Sequence, residues 1–356
     1  MKYAHFWSIG ALAISACSSS PNTPIDAAVG IDSKTIDAPM VDARLPDVSK
    51  LKASCFALEG SNPVLERGEQ FAGSTWGDPH VIKVGAQYIM YATSDHDFDG
   101  NIGVYRLTSP DGVAWTLAPR TPVFEKSPVQ TDWDRKSAET PSVVFFKGKY
   151  YMFYTGYPNA HYLPKEFRVM MATSVDGITW QRQPHAIAPT DPTNDTPSLN
   201  FRQWIAAEPG AMVFKDELYV YFAAQGADLS VNTTLFTIGV TRSSDGLLWT
   251  EPQVAFKPEQ AVYPRKSNWH GYSTPAGLEI NGQAHVFFNV VTDTPFHQTK
   301  IHHAVSANGV DQWQQDSEAL LDRSQLAPWA DEDVVSPTVV MDGTQLKCGF
   351  RALAPG

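Results

Sequence analysis

The run "WGDPHVIKVGAQYIMYATS" at residues 76–94 decides the fold. A proline opens a stretch of β-branched and aromatic residues, Gly85-Ala86 breaks it, and a second such stretch follows. That pattern predicts an antiparallel hairpin. The unit returns as "AETPSVVFFKGKYYMFYTG" (138–156), "AEPGAMVFKDELYVYFAA" (207–224), "STPAGLEINGQAHVFFNV" (273–290) and "VSPTVVMDGTQLKCGFR" (335–351). The opening prolines are Pro79, Pro141, Pro209, Pro275 and Pro337, so the spacing stays between 62 and 68 residues. A period of this length with no helical periodicity marks a radial β-architecture.

A second motif recurs out of phase: "SPDGVAW", "SVDGITW", "SSDGLLW" and "SANGVDQW", ending on Trp115, Trp180, Trp249 and Trp313. Asp-Gly or Asn-Gly turns the chain, and the indole then packs between neighbouring sheets. Each unit has room for four strands, which predicts an all-β, five-bladed propeller of four-stranded blades over residues 51–356. Only 19 residues follow Pro337, so the fifth blade lacks its outer strands. The segment "LKASCFALEGSNPVL" at 51–65 is the candidate to complete it and close the ring, since its "NPVL" parallels "TPVF" at 121–124. With Cys17 otherwise engaged, Cys55 and Cys348 would then meet on adjacent strands, and a Cys55–Cys348 disulfide is expected in an oxidising compartment.

Cys17 is engaged by the N-terminus itself. Residues 1–17, "MKYAHFWSIGALAISAC", have an early lysine, a short apolar run and small residues before the cysteine. They read as a bacterial lipoprotein signal, with Cys17 as the lipidated residue. Residues 18–50 are rich in Ser, Pro, Ala and spaced Asp and lack aromatic residues, the composition of a disordered acidic tether. The expected location is therefore the bacterial cell envelope, at the outer membrane or cell surface, with membrane contact through the anchor only. The formal net charge of −11 argues against nucleic acid, which needs basic surface.

The first strand of a propeller blade lines the axis, so the residues before the five prolines converge around one funnel. They are Asp78, Glu139, Glu208, Thr274 and Ser336, with Asp331, Glu332 and Asp333 slightly upstream in the fifth unit. Carboxylates there are costly unless water, partners or a ligand satisfy them. Tryptophan follows the same spacing, with Trp76, Trp133, Trp204, Trp269 and Trp329 each ahead of its proline. Indole faces beside carboxylates suit the C–H faces of sugars. His80, Arg135, Arg202 and His270 fall in the same lead-in segments and are further candidates for holding substrate.

These features resemble the five-bladed glycosidases of families 43 and 32 and their relatives, whose acids stand at such positions in the first three blades. The resemblance implies that Asp78 is base or nucleophile, that Glu208 is the general acid, and that Glu139 tunes the acid or orients substrate. Asp134 is the other acid available in the second unit. It also implies glycosidic-bond cleavage in a poly- or oligosaccharide of arabinose, xylose or fructose units. The alternative is a non-catalytic carbohydrate-binding propeller lipoprotein. No Cys/His constellation indicates zinc and no cofactor is expected, although an axial calcium or sodium ion is compatible with such propellers. The long stretches 155–168 and 186–204 are expected to shape specificity.

Overall fold

The chain was analysed as a computed structural model, which describes residues 63–66, 68–70, 75–95, 102–159, 167–188, 200–202, 205–228, 233–259, 271–293, 297–326 and 333–354, with two further strands at 6–14 and 56–58. Each proline-opened hairpin forms as the sequence predicts. The inner strands are Trp76–Val84, Ser137–Phe146, Ile205–Phe214, Gly271–Ile280 and Asp333–Asp342. Their antiparallel partners are Gln87–Asp95, Lys149–Tyr157, Glu217–Asp228, Gln283–Asp293 and Gln345–Ala354. Third strands follow at Ile102–Ser109, Arg168–Ser174, Thr233–Ser243 and His297–Ser306. Short edge pieces such as Gln181–Arg182 and Gln253–Phe256 pair outside them. The units stack through side chains. Each inner strand packs on the next unit's inner strand, and the fifth packs on the first. Among the described residues, β-pairing joins only the third and fourth units, through the parallel pair Phe236↔Gly271.

Apolar cores lie between successive units, as alternating strands with both faces covered require. Tyr91, Val143 and Tyr154 share one, Phe153, Phe222 and Val220 the next, and Tyr221, Tyr272 and Phe288 a third. The tryptophans of the turn motif complete these layers, with Trp180 edge-on to Tyr91, Trp249 to Phe153 and Trp313 to Tyr221. The turns are built alike. Ser174 Oγ accepts from Gly177 N, while Asp176 Oδ1 accepts from Ile178 N and Thr179 N. Those donors hold the Asp176 carboxylate down at about 2. Ser109 with Asp111, Ser243 with Asp245, and Ser306 with Asn308 repeat the arrangement.

The fifth sheet departs from expectation in its completion. The strand beside Gln345–Ala354 is Phe6–Ile14, paired from Phe6↔Ala354 to Ala13↔Lys347. The 51–65 segment contributes Phe56–Leu58 one place further out. Leu12, not Cys55, therefore stands across from Cys348. The expected Cys55–Cys348 bridge is corrected accordingly: Cys348 is a free, buried thiol whose burial pushes it up to about 12. Cys55, Cys17 and the 18–50 tether lie outside the described residues. Among the described residues, no helix is long and apolar enough to cross a membrane.

Candidate active site

Each inner strand carries a β-bulge at its proline. The register slips between Gly77 and His80, Glu139 and Ser142, Ala207 and Gly210, Ser273 and Ala276, and Val335 and Thr338. Proline has no N–H to donate, so it and the residue before it drop out of the ladder together. The residue before it takes a left-handed backbone in every unit: Asp78 (φ 48°), Thr140 (53°), Glu208 (53°), Thr274 (45°) and Ser336 (52°). Non-glycine residues in that region each cost about 1 kcal/mol or more, and such strain concentrates at functional sites.

These five residues, their prolines and His80 line a small axial cavity of about 30 Å³. That volume is roughly one water's share and leaves no room for a sugar. Beside it opens a cleft of about 200 Å³ lined by Glu139, Thr140, Thr155, Glu208, Phe167, Ile205, Ala207 and Phe236. Glu208 lines both spaces, with Asp78 on the axial cavity and Glu139 on the cleft, and the three are close enough to feel one another's charge. Glu139 stands one residue before the bulge position that Thr140 occupies, and still reaches the group.

The electrostatics separate the three acids. Burial, aided by the negative charges of Asp78 and Glu208, pushes the Glu139 carboxyl up to about 8. Its hydroxyl neighbours Ser137 Oγ and Tyr157 OH are distant, at 3.4 and 3.5 Å. Burial also raises Glu208, to about 7, against the pull of a hydrogen bond from Thr274 N at 3.1 Å. Asp78 is held differently. Its Oδ1 accepts from Ser336 Oγ at 2.9 Å and faces Arg351 Nη1 at 3.4 Å. One carboxylate is thus paired with a cation, while two carboxyls sit where the proton is retained near neutral pH.

The other candidates fall apart by location. Trp76 is fully buried and edge-on to Tyr105, so the expectation that it stacks on substrate is corrected: it fills the core of the first unit. His80 lines the axial cavity, where its Nδ1 accepts from Val143 N in the next unit and burial lowers it to about 4. Trp133 lies under the Arg168 guanidinium, 3.3 Å from ring centroid to Cζ, and does not line the cleft. Arg135 is tied to Asp132 O and Asn159 outside the cleft. Arg202 pairs with Glu251, also outside the cleft lining. Asp333 stands near Arg351, whose guanidinium is lowered by burial to about 10 against the opposing charges of Asp78 and Asp333. Trp204 and His270 lie outside the described residues. Asp134 is buried between Tyr154 OH and Arg182 Nε, a structural pair, which leaves Glu139 as the second unit's acid at the site.

Arg351, Thr155, Phe167 and Phe236 escaped the reading of the sequence. The signal for Arg351 was present: "CGFR" ends a second strand whose counterparts in other units carry no charge at that position. Among the described residues no three His, Cys, Asp or Glu side chains gather to hold a metal. The axial cavity sets the oxygen-bearing side chains of Asp78, Thr140, Glu208, Thr274 and Ser336 among the five prolines, and the Nδ1 of His80 is taken by Val143 N.

Comparison with solved structures places the fold. A thermostable family-43 glycoside hydrolase superposes with a TM-score of 0.56 at 16% identity, covering 79% of this chain and 89% of that one. The fold is that of the propeller glycosidases. An endo-arabinase from Bacteroides thetaiotaomicron matches with a TM-score of 0.53 at 18% identity over 79% and 93% of the two chains. A family 117 glycoside hydrolase from Zobellia galactanivorans gives 0.52 at 14% identity over 78% and 84%. No protein-family model and no curated protein sequence matches the chain.

Proposed function

We propose that this chain is a glycoside hydrolase on a five-bladed propeller, with the ring closed where the fifth unit packs on the first. The observation that carries the reading is the coupling of three carboxyls across the junction of the cleft, lined by Glu139 and Glu208, and the axial cavity, lined by Asp78 and Glu208, with Asp78 facing Arg351 and both glutamates raised by burial. Glycosidic cleavage needs that asymmetry, one acid protonated and one carboxylate ionised. Glu208 gives its proton to the glycosidic oxygen as the C–O bond breaks. Asp78, whose Oδ1 faces Arg351 Nη1, takes a proton from the attacking water or attacks the anomeric carbon itself. Glu139, protonated at neutral pH, donates a hydrogen bond to a substrate hydroxyl and sets the potential felt by Glu208. The apolar walls at Phe167, Ile205 and Phe236 receive a sugar's C–H face. Arabinose-containing glycans are the first substrates to try, since an arabinase is among the similar structures.

The N-terminal reading remains part of the proposal, with a consequence for the fold: anchoring at Cys17 removes residues 1–16 and with them the strand Phe6–Ile14, so the mature protein leaves the edge of Gln345–Ala354 to another segment. The test of activity is direct. Asp78→Asn and Glu208→Gln are assayed with the unmodified protein on aryl arabinosides, aryl xylosides and arabino-oligosaccharides. Turnover that falls by roughly 10³-fold or more in both variants supports the mechanism. Saturable sugar binding without turnover in the unmodified protein overturns it in favour of a carbohydrate-binding propeller.

A further inference from the structure

The residue facing each bulge across the hairpin is register-equivalent in all five units. Gly77 pairs with Thr93, Glu139 with Thr155, Ala207 with Ala223, Ser273 with Asn289 and Val335 with Arg351. These second-strand side chains serve the next unit. Thr93 Oγ1 accepts from Thr140 N at 3.1 Å, Thr155 Oγ1 from Glu208 N at 2.8 Å, and Asn289 Oδ1 from Ser336 N at 2.9 Å. Arg351 reaches Asp78 from the fifth unit to the first. Three units thus satisfy their neighbour's strained bulge N–H with a side-chain acceptor.

The third unit breaks the row. Ala223 has no acceptor to offer, and Thr274 N donates instead to Glu208 Oε2, a carboxyl on the same unit's inner strand. Ala223 is fully buried. An orphaned bulge N–H there would carry the penalty of an unsatisfied buried donor, and Glu208 is the group that answers it.

We propose that Ala223 is a positioning residue for Glu208: its lack of a side-chain acceptor leaves the Thr274 N–H to hold the carboxyl at the junction of cleft and axis. The inference rests on the reading of Glu208 as the acid. The hydrogen bond does two things to that acid. It fixes one oxygen so that the other faces the cleft, and it offsets part of the burial that raises the proton affinity. The vacancy at residue 223 is, on this view, as much a part of the site as the glutamate.

The test supplies the missing acceptor. Ala223→Thr introduces the hydroxyl that Thr93 and Thr155 use, Ala223→Ser introduces it with less bulk, and Ala223→Val adds the bulk without it. The full chain, labelled with nitrogen-15, is titrated by NMR from pH 5 to 9. In the unmodified protein and in Ala223→Val, the Thr274 amide should shift with a midpoint near that of Glu208. In Ala223→Thr or Ala223→Ser that response should vanish. The alkaline limb of the pH–rate profile should then move up by roughly one unit as the carboxyl loses a donor. A Thr274 amide that fails to titrate in the unmodified protein overturns the proposal. So does a Val variant that behaves like the Thr and Ser variants. Should Thr and Val both fail to fold, the unmodified protein and Ala223→Ser still decide. If no protein turns over substrate, the glycosidase reading fails and the amide titration alone judges the role of Ala223.

Discussion

Replacing Glu139 by Gln should flatten the dependence of stability on pH. The folded carboxyl titrates near 8, against 4.5 when free of its surroundings. Between those values the native state keeps a proton that the unfolded chain has lost, so stability is fully present below 4.5 and is lost as pH rises towards 8. Linkage gives about 1.4 kcal/mol per pH unit, hence about 3.5 kcal/mol between pH 5 and pH 8 from this one group. That is a large share of the roughly 5–15 kcal/mol that holds a typical domain together. His80, His285 and His302 are lowered by burial and act in the opposite direction below about 6.5. Their contribution is common to both proteins and cancels in the comparison. The assay is urea denaturation of unmodified protein and Glu139→Gln, followed by tryptophan fluorescence at pH 5, 6, 7 and 8. The gap should open in favour of the variant as pH rises. Parallel curves, or a variant that loses stability faster than the parent, would refute a carboxyl held protonated by burial and by Asp78.

Other perturbations probe the neighbouring contacts. Arg351→Met strands the Asp78 carboxylate and should cost about 3–5 kcal/mol in denaturation experiments, with Asp78→Asn on top recovering much of it; a double variant as unstable as the single one would count against the pair. His80→Ala removes the acceptor of Val143 N and should cost about 1–3 kcal/mol. In the parent, the imidazole carbon protons of His80 should show no titration between pH 5.5 and 8, because burial holds the ring neutral down to about 4; a midpoint near 6.5 would contradict that burial. Cys348 should resist thiol reagents in the folded chain and react on unfolding. Deleting residues 1–16 takes away the strand paired with Gln345–Ala354 and should lower the thermal midpoint. A reactive Cys348 in that form means the strand stays bare. Loss of both thiols in the same form means Cys55 has moved in to bridge it.

The repeat unit was legible because it is written in local chemistry. Proline opens a strand, Gly or Asp turns it, and aromatic and β-branched residues fill it, so hairpins at 76–94, 138–156, 207–224, 273–290 and 335–351 follow without any long-range information. The serine-Asx-glycine turns were equally plain, since each is satisfied by its own side chains. The tryptophans were harder. Spacing put Trp76 among the tryptophans ahead of the prolines, yet whether an indole faces a cleft or a core depends on the neighbouring sheet, and Trp76 lies against Tyr105.

The sequence by itself determined which residues surround the axis, because five prolines at a constant interval must present five preceding residues to one centre. It thereby nominated Asp78, Glu139 and Glu208. Only the tertiary structure decided how they are used. Glu139 stands one residue before its bulge and Glu208 within its own, and the irregular backbone there lets both reach the cleft. The cation for Asp78 arrives from a strand 273 residues away, at Arg351. The strand that pairs with Gln345–Ala354 is likewise a choice among distant segments, and the backbone took Phe6–Ile14 where local pattern pointed to 51–65. Proton affinity follows the same rule. It depends on burial and on charges from other units, neither of which is encoded beside the acid in the chain.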